Sequence, residues 1–413
     1  MAADQPPGLS VPHLRDQTMT SNYTLGMAGP MSVAEFRDFL HPGQWSERLP
    51  KGMGGTPVNL LCKELLRRGQ RLVLFSCDPS VENEVVLTGD NLRICIGPLG
   101  TRPARNFFKT ARSYLRHAIL RERPDIVHAQ WTYEYAMAVQ QLDIPQVVTA
   151  HDAPLRCLWH SLIPFRAAKT AMAYSVMMRA RKIVSVSPYV AEHIRRYAFY
   201  RRPEQIIPNG MPAEAFIGDV APGVKTGAIT FATVLVGWGA YKNGQAAIKA
   251  FARVRTKHPE ARLLMFGAGH GGGDPAASWA RERTLAAGIE FVGALPYDLL
   301  MKRLAKEVDV LVHPSLVESQ GMALIEAMAR GIPVIGGHRS GGVPWTLDNG
   351  RAGRLVDVRS PDAIAAAMHE LAMDAELRRS LAIAALDHAR AAFHVEKVAD
   401  AWQSVYDDLA AQR

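Results

Sequence analysis

Short apolar, β-branched runs alternate with helix-period segments along almost the whole chain, and that alternation leaves few folds open. A strand, a helix and a second strand in succession bury both faces of a parallel sheet under helices. Strand-like runs occupy 23–28, 71–76, 92–96, 126–128, 146–150 and 182–186, with helical patterns between most of them. One pattern, 56–68, places Leu60, Leu61 and Leu65 on one side and is followed by Gly69 as a stop signal. A second series of runs, 228–236, 262–266, 290–292, 310–313 and 333–335, begins after Pro208-Asn209-Gly210-Met211-Pro212. Two prolines flanking an Asn-Gly pair are strong loop punctuation. The expected architecture is therefore α/β, with two Rossmann-like, doubly wound domains over 22–210 and 211–390 facing a central cleft. Residues 1–21 read as a flexible tail, and 391–413 as a helix packing back on the first domain. Ligands of such sheets gather at the carboxyl ends of the strands.

The length of 413 residues suits two domains, and 48% apolar against 21% charged residues is an ordinary globular balance. A formal net charge of +9 favours anionic partners, although a basic balance with no particular partner stands equally beside that reading. No recognised nucleic-acid-reading module is present, so no nucleic-acid partner is expected. Cys62, Cys77, Cys95 and Cys157 form no C-x-x-C pair and have no second ligand at zinc spacing. They read as reduced thiols of a cytoplasmic protein, and no metal site is expected. There is no 18-residue uncharged apolar run, and 1–21 lacks the apolar centre of a secretory leader.

The chemistry concentrates in His313-Pro-Ser-Leu-Val-Glu318-Ser-Gln-Gly321-Met-Ala-Leu-Ile-Glu326-Ala-Met-Ala-Arg-Gly331. A buried strand ends at His313, a loop carries Glu318, and a helix is expected to start near Gly321 and end before Gly331. The amides at its start, over Gly321, Met322, Ala323 and Leu324, are unpaired donors at the positive end of a helix dipole, a setting that suits phosphate. Glu326 lies roughly 7–8 Å along that helix. One carboxylate can accept from ribose hydroxyls and the other from sugar hydroxyls, with the diphosphate between them. Two glutamates at this spacing also occur by chance on solvated helices, so the spacing needs its context.

The context resembles family 4 of the retaining glycosyltransferases, whose pattern is close to P-S-x-x-E-x-x-G-x-x-x-x-E-A-M-A-x-G-x-P-V. Pro314, Ser315, Glu318, Gly321, Glu326, Ala327, Met328, Ala329, Gly331, Pro333 and Val334 match in register. Ile207-Pro-Asn-Gly210, Leu263-Leu-Met-Phe-Gly267-Ala-Gly269, Gly341-Gly342-Val343-Pro344 and the closing Phe393, Trp402 and Tyr406 also resemble that family, over roughly 50–410. The resemblance implies a GT-B fold, a nucleotide-diphosphate sugar as donor substrate with no separate cofactor, retention of anomeric configuration, and no metal. The absence of a D-x-D triplet fits the last of these.

Several site residues follow from the resemblance. Lys242, in Val236-Gly237-Trp238-Gly239-Ala240-Tyr241-Lys242, matches the lysine expected at the diphosphate, while Trp238 stands where the family has arginine; Arg339 is a weak candidate to replace it. Trp345 likewise stands where the family commonly has glutamate. Gly54 and Gly55, before the helix starting near Thr56, match the family's first-domain glycine pair and would let an anion approach the backbone. His151, at the end of a strand, matches a histidine near the donor sugar, with Asp152 a lesser candidate. His128 also ends a strand but reads as structural. The segment 34–51 is longer than a minimal turn and reads as an acceptor-side lid.

The acceptor class implied is a glycan or a lipid-linked molecule. Segments 102–123 and 165–182 are basic and helical in spacing, which suits peripheral contact with an anionic membrane surface. Two helices with apolar faces on the sheet and solvated basic backs explain them equally well. Three other activities compete. Gly267-Ala-Gly269-His-Gly-Gly272 satisfies G-x-G-x-x-G, but the next strand ends in Gly-Ala without the acidic residue a nicotinamide dinucleotide needs. A nucleotide-sugar epimerase and a non-catalytic GT-B subunit supporting a partner transferase complete the set.

Overall fold

The structure, a computed structural model, describes residues 22–160, 162–198, 200–202, 204–216 and 227–412. The tail expected over 1–21 lies outside them.

Two sheets organise the chain. The first contains β1 (Thr24–Ala28), β2 (Arg71–Asp78), β3 (Val85–Thr88), β4 (Leu92–Pro98), β5 (Ile126–Gln130), β6 (Gln146–Ala150), β7 (Ile183–Ser185) and β8 (Gln205–Ile206), in the order β3-β4-β2-β1-β5-β6-β7-β8. Every pairing is parallel except β3 with β4. The second contains β9 (Thr230–Val234), β10 (Arg262–Phe266), β11 (Ile289–Gly293), β12 (Val310–His313), β13 (Val334–Gly337) and β14 (Arg354–Val356), all parallel, in the order β11-β10-β9-β12-β13-β14. Chain order reverses between β1 and β5 in one sheet and between β9 and β12 in the other. A doubly wound sheet opens a crevice at such a reversal.

The helices of the first half are α1 (Thr56–Arg67), α2 (Lys109–Glu122), α3 (Glu134–Val139), α4 (Pro154–His160), α5 (Pro164–Arg179) and α6 (Pro188–Tyr197). Those of the second are α7 (Gly244–Arg255), α8 (Pro275–Glu282), α9 (Tyr297–Glu307), α10 (Met322–Met328), α11 (Val343–Thr346), α12 (Pro361–Met373), α13 (Ala375–Phe393) and α14 (Val395–Ala410). Local signals account for several starts. Ser187 and Ser360 cap α6 and α12 by accepting from Val190 N–H and Ala363 N–H, and a proline follows each cap.

Helix α14 returns to the first sheet. Its buried residues Val395, Val398, Ala399, Trp402, Val405, Tyr406 and Leu409 follow helical spacing. Most of them join the core that holds Val58, Leu61 and Leu65 of α1. Each large apolar side chain so buried contributes roughly 1.5–3 kcal/mol before chain entropy is counted. The apolar stripe of α2, with Phe108 just before it, is buried too: Phe108, Ala111, Leu115 and Ile119 all lie in the core. That stripe therefore faces the sheet and cannot face a membrane, so only the basic back of α2 is free. The segment 34–51 is no lid. Phe36 is buried, Trp45 and Leu49 pack on the core, and Lys63 of α1 pairs with Glu35 at 2.8 Å.

The chain crosses between the two halves twice, side by side. Met211 N–H donates to Phe393 O at 2.7 Å, and Val395 N–H donates to Met211 O at 2.8 Å. Gly210 sits where these connections touch; a Cβ there would stand 2.9 Å from Val395 Cα.

Candidate active site

A cavity of about 560 Å³ lies between the halves, at the carboxyl ends of β6, β9 and β12. One wall carries Gly55, Trp131, His151, Asp152, His160 and Arg166, and the other carries Lys242, His313, Glu318, Gly321, Met322, Ala323 and Glu326. A second cavity of about 490 Å³, lined by Glu35, Lys63, Arg67, Tyr297 and Arg330 among others, holds none of the expected residues. Gly54 is exposed and stands outside the main cavity's walls. Leu324 is fully buried in the core, because its side chain turns away from the cavity into the helix's apolar side.

Glycine geometry exposes the amides. Gly55 precedes α1 at φ 82° and Gly321 precedes α10 at φ 88°, both in the left-handed region that favours glycine. Neither helix start is capped by a side chain. A Cβ on Gly55 would stand 2.2 Å from Pro30 O. The Glu318 loop is braced from behind by the next loop, where Glu318 N–H donates to Ser340 O and Gly342 N–H to Glu318 O, at 3.2 and 2.8 Å. Cβ atoms at Gly341 and Gly342 would meet Glu318 O and Ser319 O at 2.4 and 2.0 Å, so only glycine lets these loops meet.

Glu318 Oε1 accepts from Lys242 Nζ at 2.7 Å and lies 3.3 Å from His313 Nε2. Burial alone would push its carboxyl up, but the His313 hydrogen bond and the Lys242 charge outweigh burial and hold it down at about 2. It is ionised at neutral pH. Glu326 is the opposite case: burial pushes it up to about 7, with the Arg330 charge and the neighbouring Tyr297 hydroxyl pulling only partly against that. Tyr297 Oη is itself buried without a hydrogen bond of normal geometry. The two glutamates of one motif thus sit in opposed electrostatic settings.

His151 ends β6 and stacks on Trp131 with ring centroids 4.1 Å apart. Burial pushes its imidazole down to about 3, so it is neutral at pH 7. Nε2 lies 2.6 Å from Gln130 Oε1, which can only accept. The proton is therefore on Nε2 and the lone pair on Nδ1. Gln130 Nε2 donates in turn toward His128 Nε2 at 3.0 Å, which leaves the His128 proton on Nδ1, 2.8 Å from the Tyr406 hydroxyl. A buried polar chain thus runs from the C-terminal helix to the cavity. Asp152 does not share this role: both its oxygens accept from the Tyr133 hydroxyl at 2.8 Å.

The two departures from the family pattern are packing residues. Trp238 is edge-on to His270 at 5.5 Å and tilted against Trp279 at 5.9 Å; Trp345 is edge-on to Phe393 at 5.7 Å. Neither lines the cavity, and neither does Arg339. The cation that does line it besides Lys242 is Arg166, from the opposite half. Sequence reasoning missed Arg166, His313 and Gln130. A strand-terminal His before the Glu318 loop was a readable signal for His313; Gln130 and Arg166 carried none. The glycine-rich loop 267–272 is occupied from within, since Asp274 Oδ2 accepts from Gly271 N–H at 2.7 Å, where a dinucleotide phosphate would have to lie.

Known proteins resemble this chain in sequence and in fold. A model for glycosyl transferases group 1 matches residues 235–388, and one for glycosyltransferase family 4 matches 55–215. A D-inositol 3-phosphate glycosyltransferase of Corynebacterium jeikeium is 30% identical over 174 residues, 41% of either chain. This chain therefore spans about two fifths of the length of such curated relatives in alignment. Sucrose-phosphate synthase from Thermosynechococcus elongatus superposes with a TM-score of 0.76 at 18% identity, over 95% of this chain and 100% of that one. Anabaena HepE in complex with UDP-glucose superposes at 0.67 and 13% identity, over 94% and 100%. These structures share the GT-B fold of two facing α/β domains.

Proposed function

This chain belongs to glycosyltransferase family 4, and on that premise we propose that it moves a sugar from a UDP- or GDP-linked donor to a glycan or lipid-linked acceptor. The observation that carries this reading is the wall at the end of β12. There Glu318 is held ionised by Lys242 and His313, and Glu326 faces the same cavity one helical stretch away. Lys242, the uncapped amides at Gly321, Met322 and Ala323, and Gly55 opposite take the diphosphate. Glu326 accepts from the ribose. Glu318 meets the sugar, exchanging its lysine for sugar hydroxyls as the lysine turns to phosphate. His151 offers its Nδ1 lone pair to a hydroxyl of the sugar or acceptor and is too weak a base to remove a proton outright. The departing diphosphate then receives the acceptor's proton on the face of attack, which retains configuration. Lysine and amides stabilise the leaving charge in place of a metal.

Surface polysaccharide or glycolipid assembly on the cytoplasmic side, with peripheral contact to an anionic membrane, belongs to the same proposal. Among the described residues no helix is long and apolar enough to cross a membrane. A supporting, non-catalytic subunit is disfavoured because the departures that suggested it pack outside the cavity.

The test is a thermal-shift panel of UDP, GDP and their sugars. One nucleotide at 100-fold over its Kd should stabilise the fold by about 2.7 kcal/mol. Glu318→Ala should fold and keep nucleotide binding, yet lose transfer by orders of magnitude. A panel with no shift, or full activity in that variant, overturns the reading.

A further inference from the structure

The two most exposed large apolar side chains of the first half stand beside the mouth of the cavity. Trp159 is 76% and Leu162 is 81% exposed, standing with Ile163 and Phe165 around the junction of α4 and α5. The neighbouring residue His160 and, on α5, Arg166 line the cavity itself, so this junction forms part of its rim. The start of α2 joins it: the rings of Phe108 and Phe165 lie 6.2 Å apart. Phe107, at 47% exposure, is turned outward while Phe108 is buried. Both hold left-handed φ angles, 51° and 58°, which bulky residues rarely adopt. The backbone is strained there, and what the strain displays is a phenylalanine facing water.

Charge frames this apolar knob. From 99 to 121 and from 153 to 191 the chain has no acidic residue. Arg102, Arg105, Lys109 and Arg156 are exposed close to the apolar residues in sequence, and no ion pair with an acid is formed by any of them among the described residues. Projecting Trp, Leu, Ile and Phe flanked in sequence by cations without an acidic partner fit the boundary between acyl chains and anionic headgroups. A protein partner would meet a flatter patch with paired charges.

We propose that the α4–α5 junction and Phe107 form an insertion knob that seats this protein on an anionic bilayer with the cavity rim against the headgroups. The surface differs from the amphipathic faces that sequence spacing suggested, because those faces are spent on the core. The inference deepens the transferase reading, since it supplies the acceptor from the membrane, but membrane seating can be tested without any transfer.

The experiment is co-sedimentation of the full chain with phosphatidylglycerol–phosphatidylcholine vesicles and with phosphatidylcholine alone. Binding is expected to the anionic vesicles, weakened by salt. It should be abolished in Trp159→Ser/Leu162→Ser and reduced roughly fivefold for each of Arg102→Gln and Arg105→Gln. UDP and GDP thermal shifts should be unchanged in all of them, which shows that the fold and donor site survive. No binding to anionic vesicles by the unaltered protein, or undiminished binding by the double variant, overturns the proposal. So does a concentration-dependent dimer in size exclusion that the double variant abolishes, for the knob is then a protein interface. A failed nucleotide panel with intact vesicle binding would sink the transferase reading and leave the knob standing.

Discussion

A carboxyl group set in a wall that water barely reaches carries a cost that its function must recover. Glu326 titrates at about 7 in the fold against 4.5 in the open chain. Between those values the folded protein holds a proton that the unfolded chain has released, so stability falls as pH rises through that window. The loss above pH 7 is about 3 kcal/mol. Glu326→Gln should therefore melt higher than the unaltered protein at pH 8 and close to it at pH 5, while binding the donor nucleotide at least tenfold more weakly. Melting curves at the two pH values, with and without nucleotide, decide this; equal melting at pH 8 would show that the carboxyl is not strained. Glu318 has the opposite sign. Held at about 2, it stabilises the fold above pH 4.5, and that contribution is lost as pH falls toward 2. The eight-residue spacing of the pair was readable. The opposition of their protonation was not, because it comes from Lys242, 76 residues away from Glu318, and from the burial of Glu326, which Arg330 and Tyr297 only partly offset.

Helix α14 shows what an element can do away from the site it serves. Residues 391–413 read from the sequence as a helix packing back on the first domain. The structure adds that Tyr406 on its buried face ends the chain through His128 and Gln130 to His151. We predict that Gln130 is a positioning residue. Gln130→Leu should lower the turnover rate roughly tenfold or more while leaving the donor KM within about threefold, since misplacement at a reacting centre acts on rate before binding. Gln130→Glu keeps an acceptor for His151 and should recover much of the loss. A parallel loss of nucleotide binding in Gln130→Leu would point to a structural role instead. His128, which read as structural from the sequence, is fully buried with both nitrogens partnered. Gln130 could not be read, for a glutamine at a strand end carries no pattern of its own.

At the scale of the molecule, the two halves are joined by paired strands of chain whose approach depends on Gly210. The cavity is lined from both halves, so on the proposed function a movement about this seam would control access and the exclusion of water. Gly210→Val forces a side chain against Val395 Cα and should destabilise the fold by about 1–3 kcal/mol. Transfer should fall further than nucleotide binding, since most of the donor contacts proposed above come from the second half. Thermal melts and nucleotide titrations of this variant check both statements; unaltered transfer would remove the seam from the mechanism. The Pro-Asn-Gly-Met-Pro punctuation marked this place as a loop but could not show that a second connection runs beside it.

What the sequence determined by itself was local and periodic: strand runs, helix starts, the seam, and the glutamate motif, because each is written in neighbouring residues. The tertiary structure alone decided which charges pair, which apolar stripes are spent on the core and which remain at the surface. Those depend on groups brought together from distant parts of the chain, and on water excluded only once the two halves face one another.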